Sequence, residues 1–202
     1  MYPFAKRLFD ITLSIFGLIV FSAIFIIFAF FIKIDSAGPV FYRGVRAGKG
    51  GKSFKVLKFR TMVVNAEKKG GPSTADDDPR ITKIGKFLRK YKLDELPQLI
   101  NVLKGEMSLV GPRPEVFSEV EKYIPEEYAL LSVPPGMTDW ASIKFKNEGE
   151  ILKGAADPHK AYLEKIQPEK MRLGLEYVHK RSFLIDLRIL FETVTKILKI
   201  RT

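Results

Sequence analysis

Two carboxylates, Asp94 and Glu95, stand side by side where a basic stretch turns apolar, in "RKYKLDELPQLINVLKG" (Arg89 to Gly105). Leu96, Leu99, Ile100 and Leu103 recur at helical spacing and Gly105 supplies a stop. The pair therefore falls near a helix N-terminus, with Pro97 in the first turn, where proline is tolerated. The plainest reading is structural: Asp94 as an N-cap and Glu95 as a first-turn charge favoured by the helix dipole. The chemical reading divides the labour. Successive helical side chains point about 100° apart, so neighbours cannot serve one atom alike. One would attack while the other holds a cation or orients. A glycosidase pair fits poorly, because those carboxylates flank a bond about 5 Å or more apart. Arg89, Lys92 and Arg113 provide a setting that keeps a carboxylate ionised and gathers phosphate. A carboxylate that attacks phosphorus gives an acyl phosphate, an established form of covalent catalysis.

Charge narrows the partners. Lys and Arg number 34 and Asp and Glu 23 in 202 residues, a net charge of +11. Such an excess suits nucleic acid, phospholipid or a phosphorylated substrate. There is no cysteine, which excludes disulfides and thiolate metal sites, and His159 and His179 are the only histidines. That argues against a histidine-rich metal centre, and nothing points to a Ser-His-Asp triad. RNA-reading motifs and zinc knuckles are absent, so nucleic acid is not an expected partner. A membrane-anchored binding module would explain the charge, but not the adjacent acids or two proline-locked turns.

The elements that must carry these residues begin in lipid. From Ile11 to Ile32, "ITLSIFGLIVFSAIFIIFAFFI" holds no charge over 22 residues. As a helix it would measure ~33 Å, about one hydrocarbon core. It is too long for a signal peptide and lacks a clear cleavage site. Basic residues flank both ends, so their count does not decide between spanning and re-entering. Gly17 and Ser22 are the weak points for a break. Next, "GPVFYRG" and "KSFKVLKFRTM" around "VRAGKGGK" predict a β-hairpin. A phosphate-binding loop fails there, because Arg46 stands where that motif requires glycine. "VVNAEKKGGPSTADDD" is a surface loop whose three aspartates are more simply solvated than metal-bound.

A basic amphipathic helix is expected from Pro79, with Ile81, Ile84, Phe87 and Leu88 on one face. "VGPRPE" and "VPPGMTDW" are rigid turns. Residues 157 to 181 carry helical spacing. The last segment, "FLIDLRILFETVTKILKI", sets Leu187, Leu190, Phe191, Val194, Ile197 and Leu198 on one stripe, core-packed or on lipid, with Lys196, Lys199 and Arg201 at its end. Trp140 suits an interfacial or core position better than stacking on a sugar or uracil.

"KFRTM" (Lys58 to Met62), "DPRITKIGKFLRKYKLDELPQLINVLKGEMSLVGPRP" (Asp78 to Pro114), "PPGMT" (Pro134 to Thr138) and "DLRILFETVTKIL" (Asp186 to Leu198) resemble the bacterial sugar transferases, the monotopic polyprenyl-phosphate phosphoglycosyl transferases. The resemblance runs from "KRLFD" (Lys6 to Asp10) over almost the whole chain. It implies transfer of a sugar-1-phosphate from a UDP-sugar to undecaprenyl phosphate, with release of UMP, through a covalent aspartyl phosphosugar. Asp94 matches the nucleophile and Glu95 the acid that engages Mg²⁺. Arg113 matches an active-site arginine. Lys58 and Arg60 match a basic element near the phosphates, Arg89 a position facing the lipid phosphate, and Lys146 a position where an arginine often contacts the nucleotide. The implied fold is α+β and mostly helical. A membrane-inserted, re-entrant helix would occupy residues 1–35. A cytoplasmic catalytic domain with a small hairpin and amphipathic interfacial helices would occupy 36–202, on the inner face of the bacterial cytoplasmic membrane. Short family members are about this size, so no further membrane domain is expected. A homo-oligomer is compatible with the sequence but not required by it.

Three departures from the family stand out. Ser22-Ala23 replaces Ser-Pro where the membrane helix breaks. Pro134-Pro135-Gly136 replaces Arg-Pro-Gly. "DWASIKFKNE" (Asp139 to Glu148) replaces a Gly-Leu-x-Gln-Val pattern, so the sugar cannot be named by analogy, and lysine at 146 lacks an arginine's fork.

Overall fold

The computed structural model describes residues 2–66, 70, 71 and 73–198. The expected basic end at Lys199 and Arg201 lies outside the described residues. The apolar run forms two helices, α1 (Tyr2–Val20) and α2 (Ser22–Asp35), which meet at 61°. Neither is long and apolar enough to cross a membrane alone; the bent pair passes by length and composition. The break falls at Phe21, beside Ser22, and needs no proline. Ser22 Oγ donates to the Ile19 carbonyl at 2.8 Å, a back-bond that bends helices. Gly17 stays helical; a Cβ there would sit 3.0 Å from Leu99 of the helix beneath. Phe16, Ile19, Ile26, Phe30 and Ile34 are left exposed on the pair, an apolar surface of the kind that seeks lipid.

Polar anchors tie α1 to the rest of the chain. Lys6 Nζ and Tyr2 Oη each lie 2.9 Å from Asp186 Oδ2. Arg7 donates to the Val102 and Leu103 carbonyls, in the last turn of a helix, where carbonyls lack a full set of intrahelical donors. Buried Asp10 accepts from Ser108 Oγ at 2.8 Å and from the Leu109 amide at 3.1 Å.

The expected hairpin is present: β1 (Phe41–Ala47) and β2 (Ser53–Phe59) pair antiparallel, with Phe41 opposite Phe59. Gly50 and Gly51 take φ of 67° and 74° at its tip, which glycine does without strain. Alternation gives β2 two working faces. Phe54, Val56 and Lys58 share one, and Phe59 lies on the other, packed with Ile32 and Leu88.

The basic helix α3 (Lys83–Lys90) starts later than Pro79, because Ile81 is drawn into a bridge with Met62. Thr82 caps it by accepting from the Gly85 amide. The helix after the acids, α4 (Gln98–Lys104), ends as expected at Gly105, φ 82°. Its buried face is Gln98, Leu99, Asn101 and Val102, so of the stripe read from the sequence Leu99 is buried while Leu96, Ile100 and Leu103 are half-buried. Asn101 explains the rotation. Its Oδ1 accepts from the Leu57 amide and its Nδ2 donates to the Lys55 carbonyl, closing the free edge of β2.

Two three-residue strands, β3 (Ser108–Val110) and β4 (Gly136–Thr138), run parallel with Val110 opposite Thr138. The turns after and before them touch backbone to backbone: a Cβ on Gly136 would lie 2.1 Å from the Gly111 nitrogen. Among the described residues, six further α-helices and a 3-10 helix (Pro125–Ser132) complete the fold: α5 (Phe117–Val120), α6 (Trp140–Lys144), α7 (Glu148–Ile151), α8 (Pro158–Lys165), α9 (Gln167–Lys180) and α10 (Phe183–Leu198). On α10, Asp186 and Ile189 face the core, while Leu187, Phe191, Val194, Ile197 and Leu198 point outward. The terminal stripe is thus an exposed apolar face except at Leu190, which packs against the main core. Trp140 packs against the main core with the Arg188 guanidinium 5.4 Å from its ring.

Candidate active site

The approach to the acids is sharp. Lys92 takes a left-handed conformation, φ 55° and ψ 23°, unusual for a residue with a side chain. It follows the end of α3 and starts a single 3-10 turn, Leu93–Glu95. Asp94 is 8% exposed. It does not cap α4: Pro97 takes that position without a side-chain cap bond. Asp94 makes no hydrogen bond or ion pair with any described residue. Glu95 is the opposite case. Lys58 Nζ donates to its Oε1 at 2.8 Å, and Arg113 grips both oxygens, with Nη1 to Oε2 at 3.0 Å. The same Nη1 donates to the Met137 carbonyl on β4 at 3.2 Å. β2 and the post-β3 turn therefore converge on Glu95, and β4 holds Arg113.

This asymmetry sets the charges. Burial, and then the neighbouring Glu95 charge, push the Asp94 carboxyl above the usual carboxylate range, against the pull of Lys58, Arg89 and Lys92. Burial also acts upward on Glu95, but Arg113 and Lys58 outweigh it and hold Glu95 well below that range. Adjacent carboxyls driven apart in this way mark groups with different tasks. Glu95 is fixed as an anion within a cationic clamp. Asp94 is the more basic and is left unengaged, as a nucleophile should be.

The other expected site residues divide. Lys58 and Arg113 join Glu95 directly, and Arg89 lies near enough to act electrostatically on Asp94. Arg60 is not brought to the acids: its guanidinium donates to the Ser36 and Ala37 carbonyls beyond the end of α2. Lys146 sits half-buried in the turn between α6 and α7, without a hydrogen bond to either acid among the described residues. Sequence reading missed Gln98. It is 1% exposed, its Nε2 has no partner, and it is the first residue of the helix after the acids. A polar residue beside an apolar stripe was the only available sign. Behind Arg113 lies a cavity of about 20 Å³, lined by Pro112, Asp139 and Lys170 among others, room for a water and not for a sugar.

The family profile described as "Bacterial sugar transferase" matches residues 1–200. The chain belongs to the bacterial sugar transferase family. It is 39% identical over 193 residues to the "Uncharacterized sugar transferase EpsL" of Bacillus subtilis (strain 168), covering 96% of this chain and 87% of that protein. It is 41% identical over 194 residues to the "UDP-glucose:undecaprenyl-phosphate glucose-1-phosphate transferase" of Escherichia coli (strain K12), covering 95% of this chain but 39% of that one. The "UDP-N-acetylgalactosamine-undecaprenyl-phosphate N-acetylgalactosaminephosphotransferase" of Aeromonas hydrophila is 37% identical over 202 residues, 98% of this chain and 44% of its own length. The chain thus spans less than half of these two named transferases.

The donor atoms of this sugar transferase suit a hard divalent cation. Asp94 offers two unengaged oxygens, and Glu95 Oε2 has one partner. No group of three or more acidic, histidine or cysteine side chains converges among the described residues. Mg²⁺ does not require one, since it usually keeps waters and binds through one or two carboxylates plus substrate phosphates. Two of the three aspartates are otherwise engaged: Asp78 pairs with Arg80 at 2.6 Å, and Asp77 accepts from the Gly154 amide.

Proposed function

We propose that this chain transfers a sugar-1-phosphate from a UDP-sugar to undecaprenyl phosphate at the cytoplasmic face of the bacterial inner membrane, the first membrane step of a glycoconjugate pathway. The observation that carries this reading is the contrast between an unengaged, buried Asp94 and a Glu95 clamped by Lys58 and Arg113. An Asp94 oxygen attacks the sugar-linked phosphorus. The bridging phosphate oxygen leaves with UMP, and an aspartyl phosphosugar remains. A phosphate oxygen of undecaprenyl phosphate then attacks the same phosphorus, breaks the Asp94–phosphorus bond and frees the carboxylate. Arg113 and Lys58 hold positive charge where the leaving and transferring phosphates gather, and Arg89 faces the acceptor phosphate. Glu95, with Asp94 beside it, would hold Mg²⁺, which offsets phosphate charge when bound.

The test is UMP release by purified protein with undecaprenyl phosphate and a panel of UDP-sugars. We expect release with one sugar or a few, lost on chelation and restored by Mg²⁺. Release that ignores chelator would remove the metal from this reading, and no release with any donor would remove the reaction.

The same reading makes the α1–α2 pair re-entrant, with the N-terminus cytoplasmic. Supporting this, both ends of the pair are tied to one body: Lys6, Arg7 and Asp10 at the start, and Asp35 at the end through the Ile84 amide. A spanning helix would have to pull one set of bonds apart. The chain has no cysteine, so Phe4→Cys introduces a single label site. An impermeant maleimide should label it only after cells are permeabilised. Labelling from outside intact cells would mean that the segment spans.

A further inference from the structure

Just past the end of α2, the chain is held by one buried side chain. Arg60, 6% exposed, donates to the Ser36 carbonyl at 2.6 Å, to Ala37 at 2.7 Å and, at 3.4 Å, to Ile32. The chain makes room for it: Gly38 has φ 124°, and a Cβ there would lie 2.0 Å from Arg60 Nη1. Beside it, Asp35 Oδ2 accepts from the Ile84 amide at 3.0 Å, on the first turn of α3. Beneath, Ile32, Phe59 and Leu88 are at most 1% exposed and fuse α2, β2 and α3. Two of those elements carry site residues close by: Lys58 is on β2, which ends one residue before Arg60, and Arg89 follows Leu88 on α3.

We propose that Arg60 is a positioning residue that latches the membrane-inserted helix pair to the elements carrying Lys58 and Arg89, and so sets the height of Asp94 against the phosphate of the lipid acceptor. This rests on the reaction proposed above. A water-soluble UDP-sugar can meet Asp94 at any height above the bilayer. The acceptor phosphate cannot, because its polyprenyl tail fixes its depth. A loosened latch should therefore injure the acceptor half-reaction and spare the donor half.

The test compares wild type, Arg60→Lys and Gly38→Ala in phospholipid vesicles containing undecaprenyl phosphate. Lysine keeps the charge but cannot span three carbonyls; Gly38→Ala displaces the guanidinium without removing it. The donor half is read as exchange of labelled UMP into UDP-sugar without acceptor, the whole reaction as lipid-linked sugar. We expect exchange within about threefold of wild type and an apparent KM for undecaprenyl phosphate raised about tenfold, a change of ~1.4 kcal/mol. Equal loss of both halves, or no change in either, overturns the proposal. A second readout does not need turnover. Hydrogen exchange at the amides of 33–38 and of Ile84 should quicken in both variants while the amides of α4 stay protected. If the wild type transfers no sugar at all, the reaction fails but the latch is still decided: unchanged protection at 33–38 overturns it.

Discussion

Asp94→Asn should abolish turnover without loosening the fold. The expected fall in UMP release is on the order of 10⁴-fold or more, since an amide cannot act as the nucleophile of a covalent route. The stability half of this prediction follows from the same geometry. Asp94 has no hydrogen bond to lose among the described residues, and its neighbour is another carboxylate. Its pKa is raised in the folded chain, by burial first and Glu95 second. A carboxyl whose folded pKa lies above its unfolded value costs stability once pH exceeds the unfolded value, because folding then holds a charge it disfavours. The neutral isostere removes that cost. The melting temperature of Asp94→Asn at pH 7 should equal or exceed that of wild type. Trapping labelled phosphosugar on the protein checks the chemistry separately: wild type without acceptor should retain label, and the variant none. A variant that keeps a tenth of the activity would mean that another group attacks. A variant that melts earlier would mean that Asp94 is structural after all.

How much of this could be read from the sequence depends on the kind of residue. The dyad, the hairpin, the Gly105 stop and Arg113 between prolines each carry a local signature, of charge, alternation or turn chemistry. They stand where the pattern puts them. The break in the apolar run was legible as a weak point at Ser22, though its cause is a back-bond at Ile19 and not a proline. Long-range facts were not legible. The leucine stripe after the acids finds Leu99 on the buried face of α4 but misses the turn of that face toward Gln98 and Asn101, because Asn101 is drawn inward to satisfy the β2 edge, a contact some 45 residues away in sequence. Arg60 and Lys58 stand two residues apart in one basic stretch and look alike as phosphate ligands. Only the arrival of α2 and the turn after it assigns Arg60 to the Ser36 and Ala37 carbonyls and leaves Lys58 to Glu95. The parallel contact of β3 with β4 is equally hidden, since a bridge between three-residue strands has no periodicity of its own.

Arg113 carries the second large effect, and two substitutions separate its roles. Arg113→Lys keeps a positive charge near Glu95 but loses the fork that reaches both Glu95 oxygens and the Met137 carbonyl. Lysine is a point charge on a flexible stem, so the transferring phosphate would meet a cation without fixed direction. UMP release should fall by about 10²- to 10³-fold, the usual cost of losing one oriented donor of transition-state charge, with little change in melting temperature. Arg113→Met removes the charge as well. Lys58 alone then faces Glu95, and an anion built into a clamp loses its larger partner. Breaking a fully buried pair costs about 3–5 kcal/mol. Here the Arg113 and Glu95 side chains keep 26% and 15% of their exposure, so solvent should reduce that to ~2 kcal/mol. The methionine variant should thus be both inactive and measurably less stable, while the lysine variant is impaired in rate only. Equal melting temperatures would mean that Lys58 suffices to hold Glu95. Equal activities of Arg113→Lys and wild type would mean that charge, and not the arginine fork, is what the phosphate requires.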